Sequence, residues 1–482
     1  MELAAILVLP ALASALSLSP LGRHGRAAPI TLVAAIIVFV LASRVAIIAA
    51  HGGHIEAFGE WLTCDGLGAL VLGLVALVGM TAALFSWSYI RVRAAHAGER
   101  KEQNYYGLYN LFIMSLLAVP VLANVALMWV AVELTTLLSA FLVGFEDTPE
   151  ALEAAWKYVV LTTVGAVLAL FGFLILYWGS RIAGYEPFTW AGLVEAAPRM
   201  PPALLWPAFL LILVGFGTKV GLVPMHTWLP DAHSQAPASI CALLSGVETT
   251  TVLYVILRLL PVVGGVSALD ARPWFIGFGL LSVCIATLLL VYVRDFKRMF
   301  AFSTVEHMGI ILVAAGLGGA EAHLGAVYQI TGHALAKSFC FFSAGSVAMT
   351  FGTQEIASVR GLVKFAPLSA AALAGGAFAI AGAPPFALFI SELLIFKAGI
   401  ASGQYLTIGL LAFFVAIAFC AVLFHVNRMT FGAPQGRAAL SALPWSCKAT
   451  LIVAAVPLLA IGIYVPVVLQ NLLRAAAATM GG

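Results

Sequence analysis

Charge is what this chain is short of: Asp, Glu, Lys and Arg make up 9% of its 482 residues, whereas hydrophobic residues make up 62%. An ordinary soluble domain is roughly a quarter charged, so a water-soluble globule is excluded and an integral membrane protein is expected. The charge that exists is nearly balanced, 24 Lys and Arg against 21 Asp and Glu. No basic stripe or Lys/Arg block is available to neutralise phosphates, which argues against a nucleic-acid partner. Cysteine is sparse as well. Cys64, Cys241, Cys284, Cys340, Cys420 and Cys447 stand alone, with no C-x-x-C and no His/Cys pair at ligand spacing. No metal, haem, iron–sulfur cluster or other cofactor is therefore expected in this chain. A nucleophile elbow, a phosphate loop and a dinucleotide glycine pattern are also missing. Covalent chemistry is not expected of these residues.

What the chain has is long apolar runs. A membrane span needs about 20 apolar residues, and about fourteen such runs lie between polar punctuation. Their cores fall near 3–20, 29–49, 66–88, 105–122, 124–145, 153–178, 203–223, 237–260, 274–293, 301–318, 322–350, 367–398, 404–430 and 447–472. All read as helix, without the alternation of a β-barrel. The first run has its basic residues after it rather than before it, and so reads as a span and not a signal peptide. With loops numbered by the spans they join, the odd loops carry fourteen Lys and Arg, among them Arg91, Arg93, Lys297, Arg298, Lys364 and Arg437. The even loops carry Arg181, Arg199 and Arg272. That bias places the odd loops in the cytoplasm and both termini outside it.

Two long segments look interrupted, one at Pro224 and the other at Gly382-Ala383-Pro384-Pro385. Glycine- and proline-interrupted spans in corresponding positions point to inverted repeats with an ion site at the interruptions. The fold expected is an all-α membrane protein with two inverted five-helix repeats, each containing a broken helix. Residues 1–104 would form an N-terminal three-helix segment, 105–262 and 263–431 the repeats, and 432–482 a C-terminal helix. A weak echo between WVAVELTT, containing Glu133, and STVEHMG, containing Glu306, fits that arrangement.

Ionisable residues inside the apolar runs are expensive and, by default, functional. Lys219 sits near the end of one run, just before the Pro224 interruption, and must meet a carboxylate, a water chain or its own neutral form. Glu133, about nine residues into its span, needs a cationic partner, for which Lys219 and Lys157 are both candidates. Gln329, His333 and Lys337 recur every four residues and so stack along one helix face, where groups that take and give protons form a relay. Glu248, His307, Glu392 and Lys397 complete the set. Glu153 and Lys157 stand at i, i+4 and could be a surface staple.

The run GFGTKVGLVPMHTWLPDAHSQAP around Lys219 resembles the signature of the antiporter-like proton-pumping subunits of respiratory complex I, membrane-bound hydrogenases and multi-subunit cation/proton antiporters. The resemblance extends through WVAVE, DFKRMFAFSTVEHMG and GHALAKS, covering roughly residues 60 to 430. FEDTPEALEAAWKYV is most similar to the hydrogenase-4 component F branch. The resemblance implies a modulating ion pair between Glu133 and Lys219, a central axis through His307, His333 and Lys337, and an exit at Glu392. It also implies membrane partner subunits, with redox subunits on the cytoplasmic side, in a prokaryotic inner membrane. Many members carry a lysine where this chain has Thr250, two residues after Glu248.

The expected function is therefore a proton-translocating, non-catalytic subunit of a redox-driven respiratory or hydrogenase-type complex. The alternatives are a cation/proton antiporter subunit and the membrane half of an inorganic-carbon uptake complex. In the leading reading, a close carboxylate favours the ammonium of a buried lysine and its withdrawal favours the neutral amine. A difference of two pKa units between those arrangements is worth about 2.7 kcal/mol, the order needed to push a proton onward.

Overall fold

The computed structural model describes residues 1–59, 61–94, 98–186, 188–264, 270–433 and 442–481; Arg437, among the odd-loop charges, lies outside them. Helices α1 (Glu2–Leu18) and α2 (Ala27–Ala50) lead to a short antiparallel hairpin, β1 (Ile55–Ala57) and β2 (Leu62–Cys64). This hairpin departs from the all-helix expectation. It is tied to the loop before α5, where Thr63 N–H donates to Val121 O and Ala123 N–H donates to Trp61 O.

Polar caps start the next helices. Asp65 caps α3 (Gly66–Arg93), and α4 (Glu99–Ala118) follows. Asn124 Oδ1 accepts from two N–H groups at the start of α5 (Val125–Val143), and Thr148 caps α6 (Pro149–Ile182), with Pro149 at the favoured first position. The short α7 (Trp190–Ala196) precedes α8 (Pro202–Val220), which ends where Gly221 turns left-handed at φ 85°. A short 3-10 turn follows Pro224, and then come α9 (Trp228–Gln235), α10 (Ala238–Leu243), a single π turn (Leu244–Glu248), α11 (Thr249–Leu257) and α12 (Leu259–Gly264).

The second half contains α13 (Arg272–Tyr292), α14 (Phe296–Leu317), capped by Asp295, α15 (Ala320–Phe351) and the one-turn α16 (Leu362–Phe365). Helix α17 (Pro367–Ile380) and helix α18 (Ala387–Ala401) are the two parts of the second broken segment, followed by α19 (Tyr405–Phe431) and α20 (Trp445–Ile463). The last expected run is not one span: Tyr464 is extended, Pro466 follows, and α21 (Val467–Ala478) starts afresh.

Helix occupies each expected run, and eleven segments among the described residues are long and apolar enough to cross a membrane. Helices α10, α11, α14 and α15 are almost wholly buried and form the centre, while α2, α6, α13, α19 and α20 turn much of their apolar surface outward. Close crossings hold the bundle together, as small residues allow in membranes. Gly165 on α6 and Gly215 on α8 each face the other's carbonyl, so that a Cβ at either would come within 2.5 Å of it. Gly279 on α13 and Gly309 on α14 meet in the same manner.

Candidate functional site

Lys219 is the second-last residue of α8 and is 1% exposed. The break beyond it is braced from both sides. Trp228 Nε1 donates to the Thr218 carbonyl at 2.7 Å, and Val223 N–H donates to Ser282 Oγ at 3.1 Å. The lysine reaches α5, donating to Val132 O at 2.8 Å, to Thr135 Oγ1 at 2.7 Å and to Thr136 Oγ1.

Its carboxylate partner is Glu248, with Oε1 3.4 Å from Nζ, and not Glu133 as the sequence led us to expect. Helix rotation is the reason. Val132, Thr135, Thr136 and Ser139 form the α5 face turned toward α8 and α11, whereas Glu133 is turned about 100° from Val132. It lines a groove of about 350 Å³ with Val130, Leu134, Thr136, Leu137, Val159 and Thr163. There one of its oxygens lacks a hydrogen-bond partner among the described residues, yet the carboxylate remains within electrostatic reach of Lys219 and Glu248.

Glu248 ends the π turn, a feature that often marks functional sites. Its Oε1 also accepts from Thr135 Oγ1 at 3.1 Å and from Tyr158 OH at 2.9 Å, while Oε2 has no hydrogen-bond partner among the described residues. Three threonines follow, Thr250 among them. Their hydroxyls donate to carbonyls of the π turn: Thr249 to Ser245, Thr250 to Gly246 and Thr251 to Val247. The Ser245 carbonyl additionally accepts from His333 Nε2 at 3.0 Å.

From that turn the polar groups continue across α14 and α15. Ser245 Oγ meets Thr304 Oγ1 at 2.6 Å, and one turn away Lys337 Nζ donates to Phe300 O at 2.9 Å and Ser303 Oγ at 2.5 Å. The His333 and His307 rings are 5.3 Å apart. His307 Nε2 donates to Ile380 O at 3.0 Å, on the rim of the second break, and its Nδ1 meets Gln329 Nε2 at 3.0 Å. Ser391 Oγ donates to Gln329 Oε1, and the next residue, Glu392, rests its carboxylate against Gly382. Glu306 is also buried, within electrostatic reach of Lys337 and of Glu392.

Two expected members do not join this row. Lys157 is 47% exposed and bonds to Glu153 at 2.6 Å and Asp231 at 3.3 Å, while Arg298 holds Asp231 from the other side at 2.6 Å. It belongs to a surface network, because its neighbour Tyr158 takes the inward face of α6. Lys397 is 69% exposed and pairs with Glu321 at 2.5 Å; five residues beyond Glu392, it has turned about 140° around α18. Lys297, counted among the odd-loop charges, is buried and donates to Ser234 O and Ala236 O at the end of α9. Sequence reasoning missed Tyr158 and Ser391, whose only signal was adjacency to Lys157 and Glu392. It noted Glu306 only as an echo of Glu133.

Residues 123–419 match the family described as NADH:quinone oxidoreductase/Mrp antiporter, TM. The chain is similar to a hydrogenase-4 component F homolog of Methylacidiphilum infernorum (isolate V4), 37% identical over 78% of this chain and 80% of that one. In fold it is similar to a chain of the membrane-bound sulfane sulfur reductase, an archaeal respiratory membrane complex, with a TM-score of 0.87, 24% identity and coverage of 99% and 97%. Respiratory complex I from Thermus thermophilus contains a chain of similar fold, with a TM-score of 0.84, 21% identity and coverage of 100% and 99%.

Proposed function

The chain belongs to the NADH:quinone oxidoreductase/Mrp antiporter transmembrane family, and from that premise we propose that it is a proton-translocating subunit of a redox-driven respiratory or hydrogenase-type complex. One observation carries the reading. Lys219, Glu248, His333, Lys337, His307 and Glu392 are all buried in a row that joins the two helix breaks. So many ionisable groups inside an apolar bundle are hard to justify by packing alone.

In this proposal Lys219 works between two carboxylates. Glu248 holds its ammonium on the inner side, and Glu133 acts from the groove between α5 and α6. A change in Glu133's surroundings, where a neighbouring membrane subunit would sit, alters how strongly the ammonium is favoured. A proton released from Lys219 or Glu248 passes by the π turn to His333, where Glu248 Oε2 and His333 Nδ1 are both free to take it up. It continues through Lys337 and His307 to Glu392. The odd loops face the cytoplasm, both termini lie outside it, and redox chemistry and any cofactors reside in partner subunits on the cytoplasmic side of a prokaryotic inner membrane.

The test is turnover-linked acidification by the whole complex in proteoliposomes. Lys219→Ala should lower translocation by at least about tenfold, as expected for loss of one positioned proton carrier. Normal pumping by Lys219→Ala, Glu133→Gln and Glu248→Gln would reject the reading. Sodium- or potassium-dependent proton flux without an electron donor would favour the antiporter alternative.

A further inference from the structure

The link between His307 and Ser391 is an amide, and an amide is a poor proton carrier. The hydrogen-bond geometry assigns it another role. His307 Nε2 faces the Ile380 carbonyl at 3.0 Å, which can only accept, so Nε2 carries a hydrogen. In the neutral ring, Nδ1 is then an acceptor, and it is met by the Gln329 amide nitrogen at 3.0 Å. The other end of that amide, Oε1, takes the Ser391 hydroxyl. Every group in this chain is satisfied when His307 is neutral.

A proton arriving at Nδ1 would turn that acceptor into an N–H pointed at another N–H. The surroundings contain a way out. Ser391 Oγ lies 2.8 Å from Leu388 O as well as against Gln329, so its hydrogen has two acceptors to choose between. Half a turn of the Gln329 amide presents Oε1 to the imidazolium and the NH2 group to the Ser391 oxygen, whose hydrogen moves to Leu388 O. All groups are again satisfied. We propose that Gln329 is a positioning residue that flips its amide to accommodate His307 alternately as imidazole and imidazolium, with Ser391 as its two-position partner. No bond other than N–H changes: the proton taken up at Nδ1 is later given up, and the amide returns.

The other groups around His307 do not duplicate this role. Glu306 precedes it on α14, His333 and Lys337 act on it from α15, and Glu392 follows Ser391 on α18. None of the four has a hydrogen bond to His307 among the described residues.

This inference rests on the proton-translocation reading, but its test includes a measurement that does not. In the intact complex labelled with ¹⁵N-histidine, solid-state NMR reports the ring state of His307, identified by the signal lost in His307→Asn. At neutral pH the native complex should show a neutral ring protonated at Nε2. Gln329→Glu, whose carboxylate offers only acceptors when ionised, should show an imidazolium at the same pH. In proteoliposomes, Gln329→Leu and Ser391→Ala should lower protons moved per turnover by about tenfold, the weight of a buried hydrogen bond left unmade, and Ser391→Thr should restore them. A neutral His307 beside an ionised carboxylate in Gln329→Glu, or native translocation by Gln329→Leu, overturns the flip. If Lys219→Ala fails to pump while Gln329→Leu pumps normally, only the flip is lost. If Lys219→Ala pumps normally, the functional reading is lost and the NMR result still decides the role of Gln329.

Discussion

The Lys219 ammonium has three hydrogens and three close acceptors on α5, namely Val132 O, Thr135 Oγ1 and Thr136 Oγ1. Glu248 at 3.4 Å therefore supplies compensating charge more than a required hydrogen bond. Removing one partner of a buried ion pair costs about 3–5 kcal/mol, since the other charge stays behind. Glu248→Gln should accordingly destabilise the purified complex by about 3 kcal/mol, whereas Glu133→Gln, in its open groove, should cost less than about 1 kcal/mol. Thermal unfolding measures both; equal losses would mean that the two carboxylates share Lys219 evenly. Lys219, Glu248, His307, His333, Lys337 and Glu392 were legible in the sequence, because an ionisable residue within an apolar run needs no neighbour to be conspicuous. Their pairings were not. Glu133 and Thr135 differ by two positions on α5, and only the rotation of that helix decides which one meets the lysine.

Among the elements, both broken helices were visible from glycine and proline, residues whose backbone limits are local. The π turn was not: LSGVE contains no residue that interrupts a helix outright, and its carbonyls depend on Thr249, Thr250, Thr251 and His333 for partners. At the second break, Gly382 has φ +70°, and a Cβ there would stand 2.5 Å from Glu392 Oε2. Gly382→Ala should displace that carboxylate and reduce translocation by about tenfold in an assembled complex, the scale of one misplaced proton-transfer group. Gly375→Ala on α17, where nothing lies within 4 Å, is the matched control. Equal activity in the two variants would remove Glu392 from the pathway.

For the whole molecule, the asymmetry of loop charge predicts orientation. Exposed positions in the even loops, such as His51→Cys and Arg181→Cys, should react with a membrane-impermeant maleimide added outside intact cells. Ala357→Cys, in an odd loop, should react only after the membrane is opened; the opposite pattern would invert the topology. By itself the sequence determined the membrane class, the helical runs, the two interruptions and the ionisable groups placed at apolar depth. Each follows from a cost borne within one segment: lipid solvates neither a charge nor an unpaired backbone group. Tertiary structure alone decided that Glu248 rather than Glu133 contacts Lys219, that Lys157 and Lys397 lie at the surface, and that Gln329 joins His307 to Ser391. These depend on how far each helix is turned and how closely it crosses its neighbours, as at Gly165 and Gly215, and packing between distant segments fixes those angles.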